Sequence, residues 1–395
     1  MRLSLTLVAI LAVISIATDY YIFKTIKSRI VTHRKAALRT HTVFAAISLV
    51  TILTVLIIPH RTASDPLLVA KMWALYTFFT IYIPKITFII IDLIARIPQL
   101  FHRGKLRFVS IAGMMVSVVM FMLMWWGATI NRFNIDITEE TVEIQDLPEA
   151  FDGFKIVQIS DLHLGTYNND TTYISQVVNA VNEANPSLVV FTGDFVNRKA
   201  SELKPFVHTL SRIKADNGCI SILGNHDYGD YVTWKTPQDK AANRQMLLDM
   251  QKEMGWRILL DQTEYIHRGN DSIAIIGVEN IGDPPFPTYG SLEKAYPDIN
   301  DSVVKVLLSH NPAHWVNDIC DKNTNIALTL AGHTHAMQME LFGVSPSALK
   351  YKTWGGMYTD GKGQCLYVNI GIGTVLIPTR IGATPEITVF TLRKK

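Results

Sequence analysis

The sequence predicts an α/β layered domain carried behind a four-helix membrane region. Three observations predict it. Four long apolar stretches fall before residue 131, and after them short apolar runs alternate with amphipathic helical ones. The net charge changes sign at the same place. The short apolar runs then end, one after another, in Asp, His or Asn: "SDLH", "TGDF", "GNHD", "LSHN" and "AGHTH".

The apolar stretches cover 3–23, 42–58, 67–94 and 108–130. Each is long enough to cross ~30 Å of hydrocarbon as a helix, the second only just. Four in a row, joined by basic links and lacking an amphipathic face, favour spans over buried core helices. Asp19-Tyr20-Tyr21 and the basic run behind it make a poor cleavage region, so the first stretch reads as a span and not a signal peptide. Lys24, Lys27, Arg29, Arg34, Lys35 and Arg39 fill the first link, and Arg96, Arg103, Lys105 and Arg107 the third. The second link has only Arg61, balanced by Asp65. Basic links stay in the cytoplasm, which puts both termini and everything after residue 130 on the extracytoplasmic side of an integral, multi-pass membrane protein. Arg2 at the outer end runs against this rule.

Residues 1–131 hold 14 basic and 3 acidic residues, a net of +11, while the remainder holds 23 and 31, a net of −8. The overall +3 therefore conceals an acidic second half. It lacks the basic footprint that nucleic acid requires. Cys219, Cys320 and Cys365 are widely spaced and form no CxxC, which argues against a disulfide framework. No signal specifies an oligomeric state.

The second half reads as a connector over 132–146, with strand-like pieces in "FNIDI" and "TVEI", then one domain over 147–395. "FKIVQIS", "SLVVFTGD", "GCISILGNHD", "SIAIIGVEN", "VVKVLLSHN" and "IALTLAGHTH" read as strands. "YISQVVNAVNEAN" places Ile174, Val177, Val178 and Val181 on one helical face, and a second helix is expected around 241–254. In layered α/β folds, sites form where the loops after neighbouring strands converge. The polar strand ends therefore predict one site built from Asp161, His163, Asp194, Asn225, His310, His333 and His335. Carboxylate, amide oxygen and imidazole together suit Mn, Zn, Fe or Co, and the missing thiolate argues against a structural zinc site. Asp161-x-His163 and His333-x-His335 are each expected to aim both side chains one way from an extended strand end.

The order D-x-H, G-D, G-N-H-D, H, G-H-x-H stands here as "DLH" 161–163, "GD" 193–194, "GNHD" 224–227, "SH" 309–310 and "GHTH" 332–335. It resembles the calcineurin-like metallophosphoesterase superfamily from about Leu147 to the C-terminus. The tail "LYVNIGIGTVLIPTRIGATPEITVFTL" is similar to that of membrane-attached bacterial members. The resemblance implies a four-layer α/β/β/α sandwich. It implies two divalent metal ions, one held by Asp161, His163, Asp194 and His335, the other by Asp194, Asn225, His310 and His333, with Asp194 shared. A hydroxide between the ions would attack a phosphate ester, and His226 would serve as the acid for the leaving group.

Several positions depart from the family pattern. Asn197 stands where many relatives have an aspartate that orients the histidine, leaving Asp227 as the alternative charge partner of His226. Arg198 resembles a phosphate contact, but Lys199 follows it in place of glycine. Ala336-Met337-Gln338 replaces Gly-Gly-Gln, which predicts a bulkier pocket wall. Arg380 reads as either a substrate contact or a structural ion pair. In the third span, Lys85 and Asp92 lie seven residues apart and read as a charge pair inside the bundle.

The reading these features support is a membrane-anchored phosphohydrolase acting on phosphodiesters or on lipid- or envelope-linked phosphates. Two alternatives stand beside it. One is a pyrophosphatase for a nucleotide-diphospho-sugar lipid precursor. The other is a non-catalytic membrane sensor or scaffold, against which the intact ligand set argues.

Overall fold

The computed structural model describes residues 5–30, 32–284, 287–296, 303–320, 322 and 325–395. Arg2, Pro285 and Phe286 lie outside these residues. The chain forms two compact units, Met1–Ile130 with Leu376–Thr379, and Asn131–Val375 with Arg380–Lys395.

The first unit is built on helices α1 (Leu5–Arg29), α2 (Arg34–Ile57), α3 (Asp65–Ile94) and α4 (Arg107–Thr129). All four are long and apolar enough to cross a membrane. Helix α2 starts eight residues before the apolar stretch and α1 runs six past its end. Hydropathy marks where a helix suits lipid, whereas Arg34–His41 and Lys24–Arg29 extend the backbone ladder with residues of ordinary helix propensity. Lys85 and Asp92 are not partners. Lys85 reaches Asp19 on α1 at 2.8 Å, where Tyr82 also donates at 2.6 Å. Fully buried Asp92 accepts from Tyr21 (2.6 Å), Arg29 (2.6 Å), Arg96 (3.0 Å) and Lys105 (2.6 Å). Each charge of the third span thus ties to other elements, since seven residues along one helix is about 10 Å, too far for direct contact.

The second unit holds two six-stranded sheets. The first has strands β1 (Asp136–Ile144), β2 (Lys155–Ile159), β3 (Leu188–Phe191), β4 (Cys219–Ser221) and β5 (Arg257–Ile258). The second has β6 (Gln262–Arg268), β7 (Asp271–Gly277), β8 (Lys305–Leu308), β9 (Ile326–Ala331), β10 (Gly356–Thr359) and β11 (Cys365–Val368). The last strand, β12 (Glu386–Lys394), returns to the first sheet, giving the orders β1-β12-β2-β3-β4-β5 and β10-β11-β9-β8-β7-β6. The segment expected as a connector is therefore largely an edge strand, parallel to β12. Helices α5 (Thr172–Glu183), α6 (Val207–Leu210), α7 (Pro237–Glu253) and α8 (Leu292–Ala295) complete the fold.

Period-2 alternation explains the layers. Ile156, Val190 and Ile220 of the first sheet pack with Ile275, Val306 and Leu328 of the second in one shared core. Val157, Ile159 and Val189 point the other way, onto the predicted face of α5 and Leu247 of α7. Leu307 and Leu366 cover the outer side of the second sheet with Trp315 and Ile319. The four-layer sandwich expected from the resemblance is what forms. Helix α7 begins at a capping box, Thr236 with Asp239, and carries Pro237 at its first turn.

Strands β2, β3 and β4 run parallel, as do β8 and β9, so each set ends on one side. Buried Gln158 joins the sheets just below those ends, donating to the Ala331 carbonyl (2.8 Å) and to Thr192 (3.0 Å). Hydrogen-bonded burial makes this polar group a fixed floor for the site.

Candidate metal centre

Backbone bonds hold the five loops in mutual register. Asp161 N–H donates to Gly193 O (2.9 Å), His163 N–H to Asp194 O (3.2 Å), and Gly332 N–H to His310 O (3.0 Å). The chain turns sharply to do this. Asp161, His163, Asp194, His333 and His335 all have φ between 44° and 76°. The side chains therefore converge through left-handed turns and not from extended strand ends, a correction to the alternation argument. Left-handed φ costs a residue with a Cβ roughly 1–2 kcal/mol, and such strain collects at functional sites. Two glycines permit the crowding. A Cβ on Gly224 would lie 2.2 Å from Asp194 Oδ1, and one on Gly332 would lie 2.3 Å from Asp161 Oδ2.

Three overlapping clusters result: Asp161, His163 and His335; His163, Asp194 and His226; Asp161, Asp194 and His310. His335 Nε2 lies 3.1 Å from Asp161 Oδ1 and 3.0 Å from His163 Nε2. His310 Nε2 lies 3.2 Å from Asp194 Oδ2 and 3.2 Å from Asn225 Oδ1. The Thr192 carbonyl, 2.7 Å from His310 Nδ1, can only accept, so Nδ1 carries a proton and Nε2 is the nitrogen facing Asp194. His333 lies beside these clusters, its ring 5.1 Å from that of His310 and its Nε2 3.0 Å from the Tyr351 hydroxyl.

The electrostatics suit cations. Burial alone would raise the Asp161 and Asp194 carboxyls. The facing imidazoles, His335 for Asp161 and His310 with His226 for Asp194, hold both below the usual carboxylate range. Burial pushes His333 down to about 3, helped by the charge of His310, and pushes His163 well below its ordinary value, helped by His226 and His335. Both stay neutral, as ligands must. Burial opposes charge on His310 too, but Asp194 outweighs it and lifts it to about 9. Asp161 Oδ1 and His163 Nδ1 are buried and have no hydrogen-bond partner. An orphaned carboxylate oxygen among converging nitrogens is costly without a cation. The residues present therefore fit divalent metal ions.

The other expected residues land as follows. His226 N–H donates to Asp194 Oδ1 at 2.8 Å, and its ring stacks on Tyr231. His226 Nδ1 meets the backbone carbonyl of Asn197 at 2.7 Å. The Asn197 side chain instead bonds Thr166. Asp227 does not reach into the site through its carboxylate. It accepts backbone N–H bonds from Asp194, Phe195, Val196 and Gly224, clamping two ligand loops together. Burial and neighbouring Asp194 push its carboxyl up to about 8 against those bonds. Arg198 is buried. Arg380 is fully buried, donating to the carbonyls of Gly373, Ala383 and Ile370 and lying 3.3 Å from His335 Nδ1. Its donors are thus taken up by backbone carbonyls, and among the described residues it forms no ion pair. Ala336, Met337 and Gln338 share left-handed φ of 47–59°, so this stretch is strained.

Three positioning residues escape the sequence. Tyr351 binds His333, Tyr231 accepts from Asn225 Nδ2 at 2.9 Å, and Ser160 donates to Asp161 Oδ2 at 2.5 Å. Only Ser160, next to a ligand, left any signal there.

Comparison with known proteins agrees with this geometry. The family model for calcineurin-like phosphoesterase matches residues 154–337, and that for a probable calcineurin-like phosphoesterase transmembrane domain matches residues 1–132. An uncharacterized metallophosphoesterase, YkuE of Bacillus subtilis, is 32% identical over 66% of this chain and 86% of its own length. A transmembrane protein with metallophosphoesterase domain from Danio rerio is 28% identical over 65% of this chain, a match spanning just over half (57%) of that relative. The UDP-2,3-diacylglucosamine pyrophosphatase LpxG of Chlamydia trachomatis is 27% identical over 50% of this chain and 68% of its own. With its four apolar helices and its converging ligand loops, the chain belongs to the calcineurin-like metallophosphoesterases, as a membrane-associated member of that family.

Proposed function

We propose that the site holds two divalent ions and hydrolyses phosphodiester or lipid- or envelope-linked phosphate bonds. Asp161, His163, Asp194 and His335 hold one ion, Asp194, Asn225, His310 and His333 the other, and the metal is Mn, Zn, Fe or Co. The observation that supports this most is the pair of buried carboxylates, Asp161 and Asp194, whose ion-pair partners among the described residues are imidazoles alone. Divalent cations, when bound, lower the pKa of a coordinated water and offset charge gathering on phosphoryl oxygens.

The chain's own groups do the rest. The Asn197 carbonyl fixes a proton on His226 Nδ1, so any proton given to a leaving alkoxide moves at Nε2. Tyr231, stacked on that ring at 4.3 Å, limits its rotation. Asp227 holds the loops of Asp194 and Asn225 at fixed separation, and Arg198 serves as the phosphate contact.

The basic links support an extracytoplasmic catalytic domain, where lipid headgroups and envelope phosphates are substrates at high effective concentration. The similarity to LpxG favours one second reading, cleavage of a nucleotide-diphospho-sugar lipid precursor, which requires the cytoplasmic side. A topology reporter fused to the C-terminus separates the two. The activity test is hydrolysis of an aryl phosphodiester and an aryl phosphomonoester by the full-length protein, metal-free and with each ion in turn. Metal-dependent turnover is expected. Absence of turnover with every ion, despite measured metal binding, would favour the sensor reading.

A further inference from the structure

The loop that follows the last metal-ligand motif exposes an unusual amount of apolar surface. Met337, Met339, Leu341, Phe342, Val344 and Leu349 are all exposed, Phe342 at 104% and Leu349 at 93%. A soluble surface rarely gathers so many large apolar side chains in one short segment. The backbone is shaped to present them. Leu341 and Val344 exchange two backbone hydrogen bonds, 3.0 and 3.1 Å, across a turn whose central residues, Phe342 and Gly343, both have left-handed φ (54° and 76°). Such turns favour Asn, Asp or Gly at the first centre, so a phenylalanine there is strained and fully exposed at once.

The base of this hairpin lies beside the point where the chain enters the domain. Met339 pairs with Ile381, with Ile381 N–H bonded to Gln338 O and Glu340 N–H to Ile381 O. The neighbouring Arg380 carbonyl accepts from Asn131 Nδ2 at 3.1 Å. Asn131 directly follows the last residue of the helical unit. Six residues separate the end of α4 at Thr129 from β1 at Asp136, a reach of about 25 Å even when fully extended. Exposed Lys350 and Lys352 flank the segment against a single acid, Glu340, a balance that suits anionic headgroups.

We infer that residues 337–349 form a wedge that inserts into the lipid bilayer, seating the ligand loop at the headgroup plane. The occupant of this surface is the membrane in which the same chain is anchored. The wedge hangs from the ligand loop itself, since Ser345 Oγ donates to the carbonyl of Ala336, next to His335, at 2.5 Å. The inference rests on membrane anchorage and not on which ester is cleaved.

The test uses full-length protein reconstituted in vesicles of phosphatidylcholine with phosphatidylglycerol. A diazirine-bearing amino acid replaces Phe342 or Leu349, with Leu123 on α4 as the lipid-exposed reference and Tyr265 on β6 as the aqueous one. After irradiation, lipid adducts at positions 342 and 349 are expected at least about tenfold above those at 265. Adducts at 342 and 349 no higher than at 265, while 123 reacts, would overturn the wedge. So would crosslinking of 342 predominantly to a second copy of the chain. Photolabelling needs no turnover, so an inactive site would leave its outcome intact.

Discussion

Both units bury carboxylates, and they neutralise them in opposite ways. Asp92 in the helical unit is met by Arg29, Arg96, Lys105 and the Tyr21 hydroxyl. Its charge is more than balanced. Among the described residues, Asp161 and Asp194 in the second unit meet only imidazoles as ion-pair partners, and one Asp161 oxygen accepts no hydrogen bond. A structural carboxylate is closed by the chain itself. The carboxylates proposed as ligands are left open, at a cost that a cation would offset.

Breaking the open side should have the largest effect. Asp194→Ala removes the oxygen shared by both proposed ion sites, so metal-dependent turnover of an aryl phosphodiester should fall by roughly a thousandfold or more. Bound metal, measured by elemental analysis, should fall with it. Chelation should reproduce the loss in the wild type, and added Mn or Zn should reverse it. Retained turnover in Asp194→Ala would sink the two-ion assignment.

His226→Ala leaves the ligands in place and should lower kcat by about a hundredfold or more. The loss should grow as the leaving group becomes more basic. A loss independent of the leaving group would assign His226 to binding and not to proton transfer.

On the closed side, Asp92→Asn strands three cations in the helical unit. Breaking such a pair costs about 3–5 kcal/mol, read as a lower thermal transition of the full-length protein in detergent. Metal content per folded molecule should not change. An unaltered transition would show that Asp92 is not a structural charge.

Buried His314 tests a third arrangement, a neutral imidazole bonded to Ser309 at 2.8 Å, with burial holding it down at about 4. Its folded value lies below the unfolded ~6.5, so the fold binds fewer protons there. Stability is unaffected above pH ~6.5 and falls as the pH drops from there towards 4, by at most about 3 kcal/mol. His314→Gln should flatten that part of the stability–pH curve, and an unchanged curve would refute the burial argument.

The smallest effect concerns Tyr231. Tyr231→Phe removes the acceptor of the Asn225 amide but keeps the ring on His226, so turnover should fall only about fivefold, near 1 kcal/mol. Tyr231→Ala should cost clearly more. Equal losses would mean that the stack on His226 contributes nothing.

Much of this was legible in the chain. Apolar length marked the four helices, and short apolar runs marked β2, β3, β4, β7, β8 and β9, because both are local properties of the chain, whereas β5, β6, β10, β11 and β12 carried no such mark. The proposed ligands stood out in the chain because one polar residue after each buried strand is a local pattern too. The lengths of α1 and α2 beyond their apolar stretches were not, since helix propensity and lipid preference end at different residues. Asp227 was misplaced for a related reason: its four N–H partners lie across the fold, in the loop of Asp194 as well as its own.

The sequence by itself determined which side chains are available for the chemistry, in what order, and that they follow a membrane region. Tertiary structure decided their directions and their company. It bent five proposed ligands into left-handed turns, gave Asp92 a cluster of cations in place of Lys85, buried Arg380 beside His335, and raised an exposed phenylalanine in the turn of a hairpin after the last of those residues. The reason is physical: residue type and periodicity are set by neighbours a few positions away, whereas φ, burial and charge pairing are set by segments that meet only after the sheets have closed.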